Sequence, residues 1–185
     1  MQGTGIVRRI DELGRVVIPK EIRKTLRIKE GDPLEIYTDK DNLVVKKYSP
    51  ISSINDFVKI VADGIEEITE KVCLITDNDS VLYLSKGKMK DVIGKTITNN
   101  LEKVLKERKS IFSSRIDGGT IIPIIDGVDL ELENQIIVPI ISSGDCYGAC
   151  VLFDSDKSSR FKAEDIKLVQ LGASFLSKQF EWLIR

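Results

Sequence analysis

Histidine is absent from all 185 residues. That absence removes the Ser-His-Asp and Cys-His arrangements in which an imidazole activates a nucleophile. It also removes the zinc ligand sets that combine cysteine with histidine. Cysteine is scarce, at Cys73, Cys146 and Cys150. Cys146 and Cys150 fall in one expected strand, where a four-residue step covers roughly 13 Å, whereas a disulfide needs Cα atoms within about 7 Å. The thiols therefore read as small buried hydrophobes. No apolar run approaches the ~20 residues of a membrane span, and no apolar signal segment opens the chain, so the cytoplasm is the expected location. The glycine-rich phosphate loops Gly-x-x-x-x-Gly-Lys-Ser/Thr and Gly-x-Gly-x-x-Gly are missing. Asp77 and Asp79 form an acidic pair, but Asp77-Asn78-Asp79-Ser80 lies between two β-rich runs and reads as a hairpin turn. No metal or cofactor is expected.

What is present is uneven charge. Residues 1 to 50 carry eleven Lys and Arg against eight Asp and Glu, a net of +3; residues 51 to 185 carry seventeen against twenty-one, a net of −4. Arg8, Arg9, Arg15, Lys20, Arg23, Lys24 and Arg27 lie among β-forming apolar residues. Ile6 to Ile10 and Arg15 to Ile18 read as strands around the turn Asp11-Glu12-Leu13-Gly14. Pro19 pushes Ile18 toward extended backbone and suits the start of a helix over Lys20 to Leu26. Leu34 to Thr38 and Leu43 to Tyr48 make a second hairpin around Asp39 to Asn42. Such a unit is too small to bury a good core alone, since below about 40 to 60 residues a staple or a partner is commonly needed. It holds no cysteine or histidine, so an intertwined homodimer with one shared core is expected. Clustered cations on an ordered surface point to nucleic-acid phosphate; a solvated charged face is the bland alternative.

Ser49 to Ser53 closes this module, and Ser52 or Ser53 can cap a following helix. Ile54, Val58, Val61, Ile65, Ile68 and Val72 make a heptad-like stripe. A last helix, roughly Ala163 to Ile184, repeats the pattern with Ile166, Val169, Ala173, Leu176, Phe180 and Leu183, widened by Leu168, Leu171 and Phe175. The two helices either cover a sheet or also meet a second copy, and stripes this broad fit both at once. Between them lie strand candidates Val72–Thr76, Val81–Ser85, Ser110–Ser113, Ile121–Ile125, Gln135–Ile141 and Tyr147–Phe153, and a helix over Asn99 to Arg108. Ser143-Gly144-Asp145 is a tight hairpin signal. The expected class is α+β with an antiparallel sheet. The expected division is a module at 1–50, a linking amphipathic helix at 51–72, and a regulatory and oligomerisation domain at 73–185.

The string Thr4-Gly5-Ile6-Val7-Arg8-Arg9-Ile10-Asp11-Glu12-Leu13-Gly14-Arg15-Val16-Val17-Ile18-Pro19-Lys20-Glu21-Ile22-Arg23 resembles the DNA-binding domain of the AbrB-like transition-state regulators of spore-forming bacteria. The resemblance implies a swapped-hairpin dimer and DNA contact through Arg8, Arg15, Arg23 and Lys24; Arg9, Lys20 and Arg27 read either as accessory contacts or as exposed charges. Relatives often have arginine where Lys24 stands; lysine keeps the charge without the bidentate fork, which implies a phosphate contact there. The resemblance also implies AT-rich promoter targets read by shape, and a sporulation regulator, activator and repressor, on the nucleoid of the developing spore. Farther on, Ile137-Val138-Pro139-Ile140-Ile141-Ser142-Ser143-Gly144-Asp145-Cys146-Tyr147-Gly148-Ala149-Cys150-Val151-Leu152-Phe153 resembles the hairpin of a GAF domain, which implies a pocket for a small-molecule effector of unknown identity. The reading is thus a non-enzymatic, homotetrameric DNA-binding regulator. The alternatives are a GAF-fold thiol enzyme that reduces methionine sulfoxide and an antitoxin-like module.

Overall fold

The computed structural model describes residues 5–49, 51, 54–85 and 91–183. It divides into two compact units, Met1–Tyr48 and Ser49–Arg185.

The first unit holds helix α1 (Lys20–Thr25) and strands β1 (Leu34–Asp39) and β2 (Asn42–Lys47). Pro19 is the N-cap of α1, at φ −56° and ψ 147°. Its ring presets φ, and its carbonyl accepts the Arg23 N–H at 2.9 Å. Arg27 takes positive φ and reverses the chain after the helix. β1 and β2 pair antiparallel with Asp39 opposite Asn42, so the turn is the two residues Lys40 and Asp41, with Lys40 at φ 54°. Glu35 faces Lys46 across this ladder and pairs with it at 2.9 Å.

Ile6 to Ile10 and Arg15 to Ile18 form no strand within one chain, contrary to the sequence expectation. Their side chains are largely uncovered: Val7 is 84% exposed, Ile10 69%, Leu13 73% and Val17 74%. Among the described residues of this unit only Pro19 is buried. A ladder needs a neighbouring edge and an apolar face needs a cover. One copy of this short segment supplies neither to residues 6–18.

The second unit is a five-stranded antiparallel sheet between two layers. It comprises α2 (Asn55–Thr69), β3 (Val72–Thr76), β4 (Val81–Leu84), α3 (Asn99–Glu107), β5 (Ile111–Ser114), β6 (Asn134–Ser142), β7 (Asp145–Asp154) and α4 (Ala163–Leu183). The strand order is β4-β3-β7-β6-β5. Alternation sorts the side chains: Cys73, Ile75, Ile136, Val138, Ile140, Cys150 and Leu152 pack under α2 and α4. Leu74, Ile137, Ala149, Val151 and Phe153 pack on the other face, with Leu101, Val104 and Leu105 of α3. A sheet covered on both sides needs apolar residues at every position, hence the unbroken run Ile136 to Ile141. Thr98 caps α3, its hydroxyl accepting the Leu101 N–H at 3.2 Å.

Several local expectations change. The stripe assigned to the first long helix ends before Val72, which opens β3, because Glu70 adopts the left-handed conformation and stops α2. The N-cap is Ile54, without a side-chain bond; Ser52 and Ser53 lie outside the described residues. The helix α2 forms a layer of the second unit, with Ile54, Val58, Ala62 and Ile65 in its core. Ile121 to Ile125 is not a strand. Pro123 interrupts its donors, and the segment is tied down by a single bridge, Ile97 to Ile125, and by the Thr98 N–H donating to the Ile124 carbonyl at 3.0 Å. The Asp77 turn is as the sequence indicates: one carboxylate oxygen accepts the N–H groups of Asp79 (2.8 Å) and Ser80 (2.6 Å), and the other accepts the Ser49 hydroxyl at 2.9 Å.

Candidate nucleic-acid interface

The basic residues of the first unit are displayed by two small devices. The first is the turn at Asp11. The Asp11 N–H donates to the Arg15 carbonyl at 3.1 Å and the Gly14 N–H to the Asp11 carbonyl at 2.9 Å. Gly14 sits at φ 74°, where a side chain is disfavoured. The Asp11 carboxylate accepts the backbone N–H groups of Leu13 (3.0 Å) and Arg15 (2.8 Å), and Nε of Arg15 at 2.7 Å. Bonds from the Arg15 backbone and then its side chain hold the Asp11 carboxyl below the ordinary carboxylate range. One carboxylate therefore shapes the turn and braces the arginine by its Nε edge. The Arg15 side chain remains 70% exposed.

The second device is α1. Lys20, Arg23 and Lys24 follow one another at the three- and four-residue spacing that gathers side chains on one helix face. All three are exposed, as are Arg8 and Arg9 before the turn. Among the described residues no ion pair engages Arg8, Arg9, Lys20, Arg23 or Lys24, so their charge is not neutralised within the unit. Arg8 and Arg9 lie on one arm of the turn and Arg15 on the other; Lys20, Arg23 and Lys24 form the helical group. The bracing of Arg15 by Asp11 is the feature that sequence reading missed, and its signal was an Asp four residues before an Arg with Gly between.

In the second unit, no group of three or more acidic, cysteine or histidine side chains among the described residues is placed to hold a metal. Cys73 and Cys150 are buried. Cys146 is half-buried with Sγ 3.5 Å from the Gly148 carbonyl, and burial pushes its thiol up. No described helix is long and apolar enough to cross a membrane.

Comparison with known proteins agrees with both halves. Residues 53–181 match the family described as stage V sporulation protein T C-terminal, transcription factor. Residues 7–53 match the family of MazE, a bacterial antitoxin. Stage V sporulation protein T of Bacillus subtilis is 42% identical over 182 residues, covering 98% of this chain and 99% of that protein. The transition state regulatory protein AbrB of the same organism is 62% identical over 50 residues, which are 27% of this chain and 52% of that protein. The GAF domain of PixJ from Thermosynechococcus elongatus superposes with a TM-score of 0.57 at 11% identity, covering 74% of this chain and 90% of the domain; that likeness is one of fold. The architecture is thus α+β, an AbrB-like N-terminal domain followed by a GAF-like domain, and the chain belongs to the stage V sporulation protein T family of transcription factors.

Proposed function

We propose that this chain is a homo-oligomeric regulator of sporulation genes that grips duplex DNA through Arg8, Arg9, Arg15, Lys20, Arg23 and Lys24. The observation that carries this reading is the state of the first unit. It holds a rigid turn and a helix that present unneutralised cations, while its own apolar residues lack a cover. A second copy completes such a core and doubles the cationic surface. Cations displacing condensed counterions make affinity fall steeply with salt. The targets are AT-rich duplexes read mainly by groove shape. Fluorescence anisotropy with an AT-rich promoter duplex across a salt series tests this. Tight binding that weakens on a log–log line is expected; no binding at low salt would sink it.

The dimer has its own test. Residues 1 to 50 are expected to sediment as a dimer, and a folded monomer would overturn the shared-core argument.

A second interface is proposed on the outer surfaces of α2 and α4. Phe57, Ile60 and Ile68 on α2, and Leu171, Phe175 and Trp182 on α4, are all exposed, and Phe57 and Phe175 meet edge to face at 5.9 Å. The helices bury one side on the sheet and leave an apolar stripe outward, which matches the face of a four-helix bundle with another copy. This makes the assembly a tetramer. Ile68→Asp combined with Leu171→Asp is expected to halve the mass seen in sedimentation while leaving DNA binding of the dimer; an unchanged mass would refute the interface. The GAF-like fold supports a role for this unit in answering a small-molecule effector. Membership of a transcription-factor family supports the non-enzymatic reading. The MazE match is confined to residues 7–53, the end shared with AbrB, so it supports a DNA-binding module more than toxin neutralisation.

A further inference from the structure

We propose that Cys73 and Cys150 form an oxidisable dithiol pair that a peroxide converts into an intramolecular disulfide beneath the α2–α4 layer. In the ladder between β3 and β7, Cys73 faces Leu152 and Ile75 faces Cys150. The two cysteines are therefore offset by two residues on neighbouring strands and point to the same face of the sheet. Their sulfurs lie 3.8 Å apart, in contact, so a bond between them forms by closing a gap of about 2 Å. The contact is also selective. Cys146 belongs to the same strand, but its sulfur turns toward the Gly148 carbonyl and its neighbours in the core are those of the opposite face.

The helix above passes close to the pair. A Cβ built on Gly172 of α4 would lie 2.8 Å from Val61 Cγ1, 2.9 Å from Ile65 Cδ1 and 3.9 Å from Cys150 Sγ, so the missing side chain lets α4 and α2 close over the pair. Both cysteines are fully buried. Their mutual hydrogen bond and burial hold the Cys73 thiol well above its ordinary range. The thiolate is the attacking form, so the pair stays inert until the layer over it opens.

The chemistry balances as follows. One sulfur attacks an oxygen of hydrogen peroxide, the O–O bond breaks, and a sulfenic acid and one water form. The second sulfur attacks the sulfenic sulfur, the S–S bond forms, and a second water leaves with the remaining thiol proton. Two thiols lose two electrons and two hydrogens to the peroxide. The bond ties together positions 77 residues apart, which restricts the unfolded chain and stabilises the folded unit.

The test uses the full chain treated with hydrogen peroxide, then catalase, then denatured and alkylated with N-ethylmaleimide before peptide mapping by fragmentation mass spectrometry. Cys73 and Cys150 are expected to escape alkylation together and to appear in one cross-linked peptide pair lacking two hydrogens. Cys146 should be alkylated, and dithiothreitol should restore all three thiols. The oxidised chain should unfold at a higher temperature than the reduced one. Alkylation of both Cys73 and Cys150 after treatment, oxidation that stops at a single cysteine, or a cross-link through Cys146 would each overturn the proposal. In Cys150→Ser no cross-link to Cys73 should form, and its persistence would overturn it equally. The mapping of the unaltered chain decides the matter even where that variant folds poorly.

Discussion

Arg15→Ala should lower affinity for an AT-rich promoter duplex by about tenfold to a hundredfold, the worth of losing roughly 1–3 kcal/mol in a bidentate arginine contact. The reasoning begins at Asp11. Its carboxylate engages the Arg15 guanidinium at Nε, at 2.7 Å, and the side chain stays 70% exposed. An arginine braced at one edge loses less side-chain freedom on binding than a free one. The salt series separates the two parts of this claim. Removing Arg15 should lower the slope of log affinity against log salt by about one unit for each copy engaged. Asp11→Ala keeps the Arg15 cation and removes its brace, so it should weaken binding while leaving that slope nearly unchanged. If Arg15→Ala binds as the parent does, with the same slope, Arg15 takes no part in the interface. Lys20→Ala, on a helix with no such brace, should have the smaller effect expected of a phosphate contact alone.

Much of this architecture was legible in the residues, and the misses have physical causes. Ile136, Val138 and Ile140 alternate with Ile137 in a run that has no polar member, and such a run announces a strand buried on both faces. The turn at Ser143 and Gly144 was equally plain, since both residues take positive φ, at 50° and 87°. Ile121 to Ile125 has the same composition and is not a strand, because Pro123 removes a donor from its middle; composition outweighed the one residue that decided the matter. The strands expected at residues 6–18 failed for another reason. Their β-branched character is real, but a ladder belongs to two segments, and the second is not found within one chain. The α2 stripe was read through Val72 because periodicity continues across a helix stop that rests on backbone conformation at Glu70. For the candidate site, residue type and clustering picked out the cations. The contact between Asp11 and Arg15, and that between Cys73 and Cys150, are matters of side-chain direction and strand register. The second joins residues far apart in the chain, and nothing in local sequence reports it.

The largest stability effect is expected at Gly148. This glycine lies on β7 beside a bulge: Ile140 pairs with Gly148 and Ile141 with Cys146, which leaves Tyr147 as the extra residue. Tyr147 stacks on Phe180 of α4 at 5.0 Å, so the bulge aims an aromatic ring into the layer above. The cost is a close approach of backbones. A Cβ built at Gly148 would stand 1.9 Å from the Thr76 carbonyl oxygen and 2.9 Å from the Asp77 Cα, both main-chain atoms. No rotamer change relieves that overlap. β3 and β7 would have to separate next to the pair of Thr76 and Ala149, at the centre of the sheet. Gly148 also takes φ 154°, disfavoured for a side chain. Ordinary overpacking costs about 1–3 kcal/mol, and a clash between main chains should reach or exceed the upper figure. Gly148→Ala should therefore lower the melting temperature of the second unit by about 10 °C or more. Gly144→Ala is the control, since it has positive φ but no atom within 4 Å of its Cβ, and it should cost only about 1 kcal/mol. Calorimetry of the two variants isolates the close approach from the backbone strain. Equal melting temperatures would mean that β7 does not pass so near Thr76. A large gap, with DNA binding by the first unit retained at low temperature, would tie the fold of the second unit to this one missing side chain.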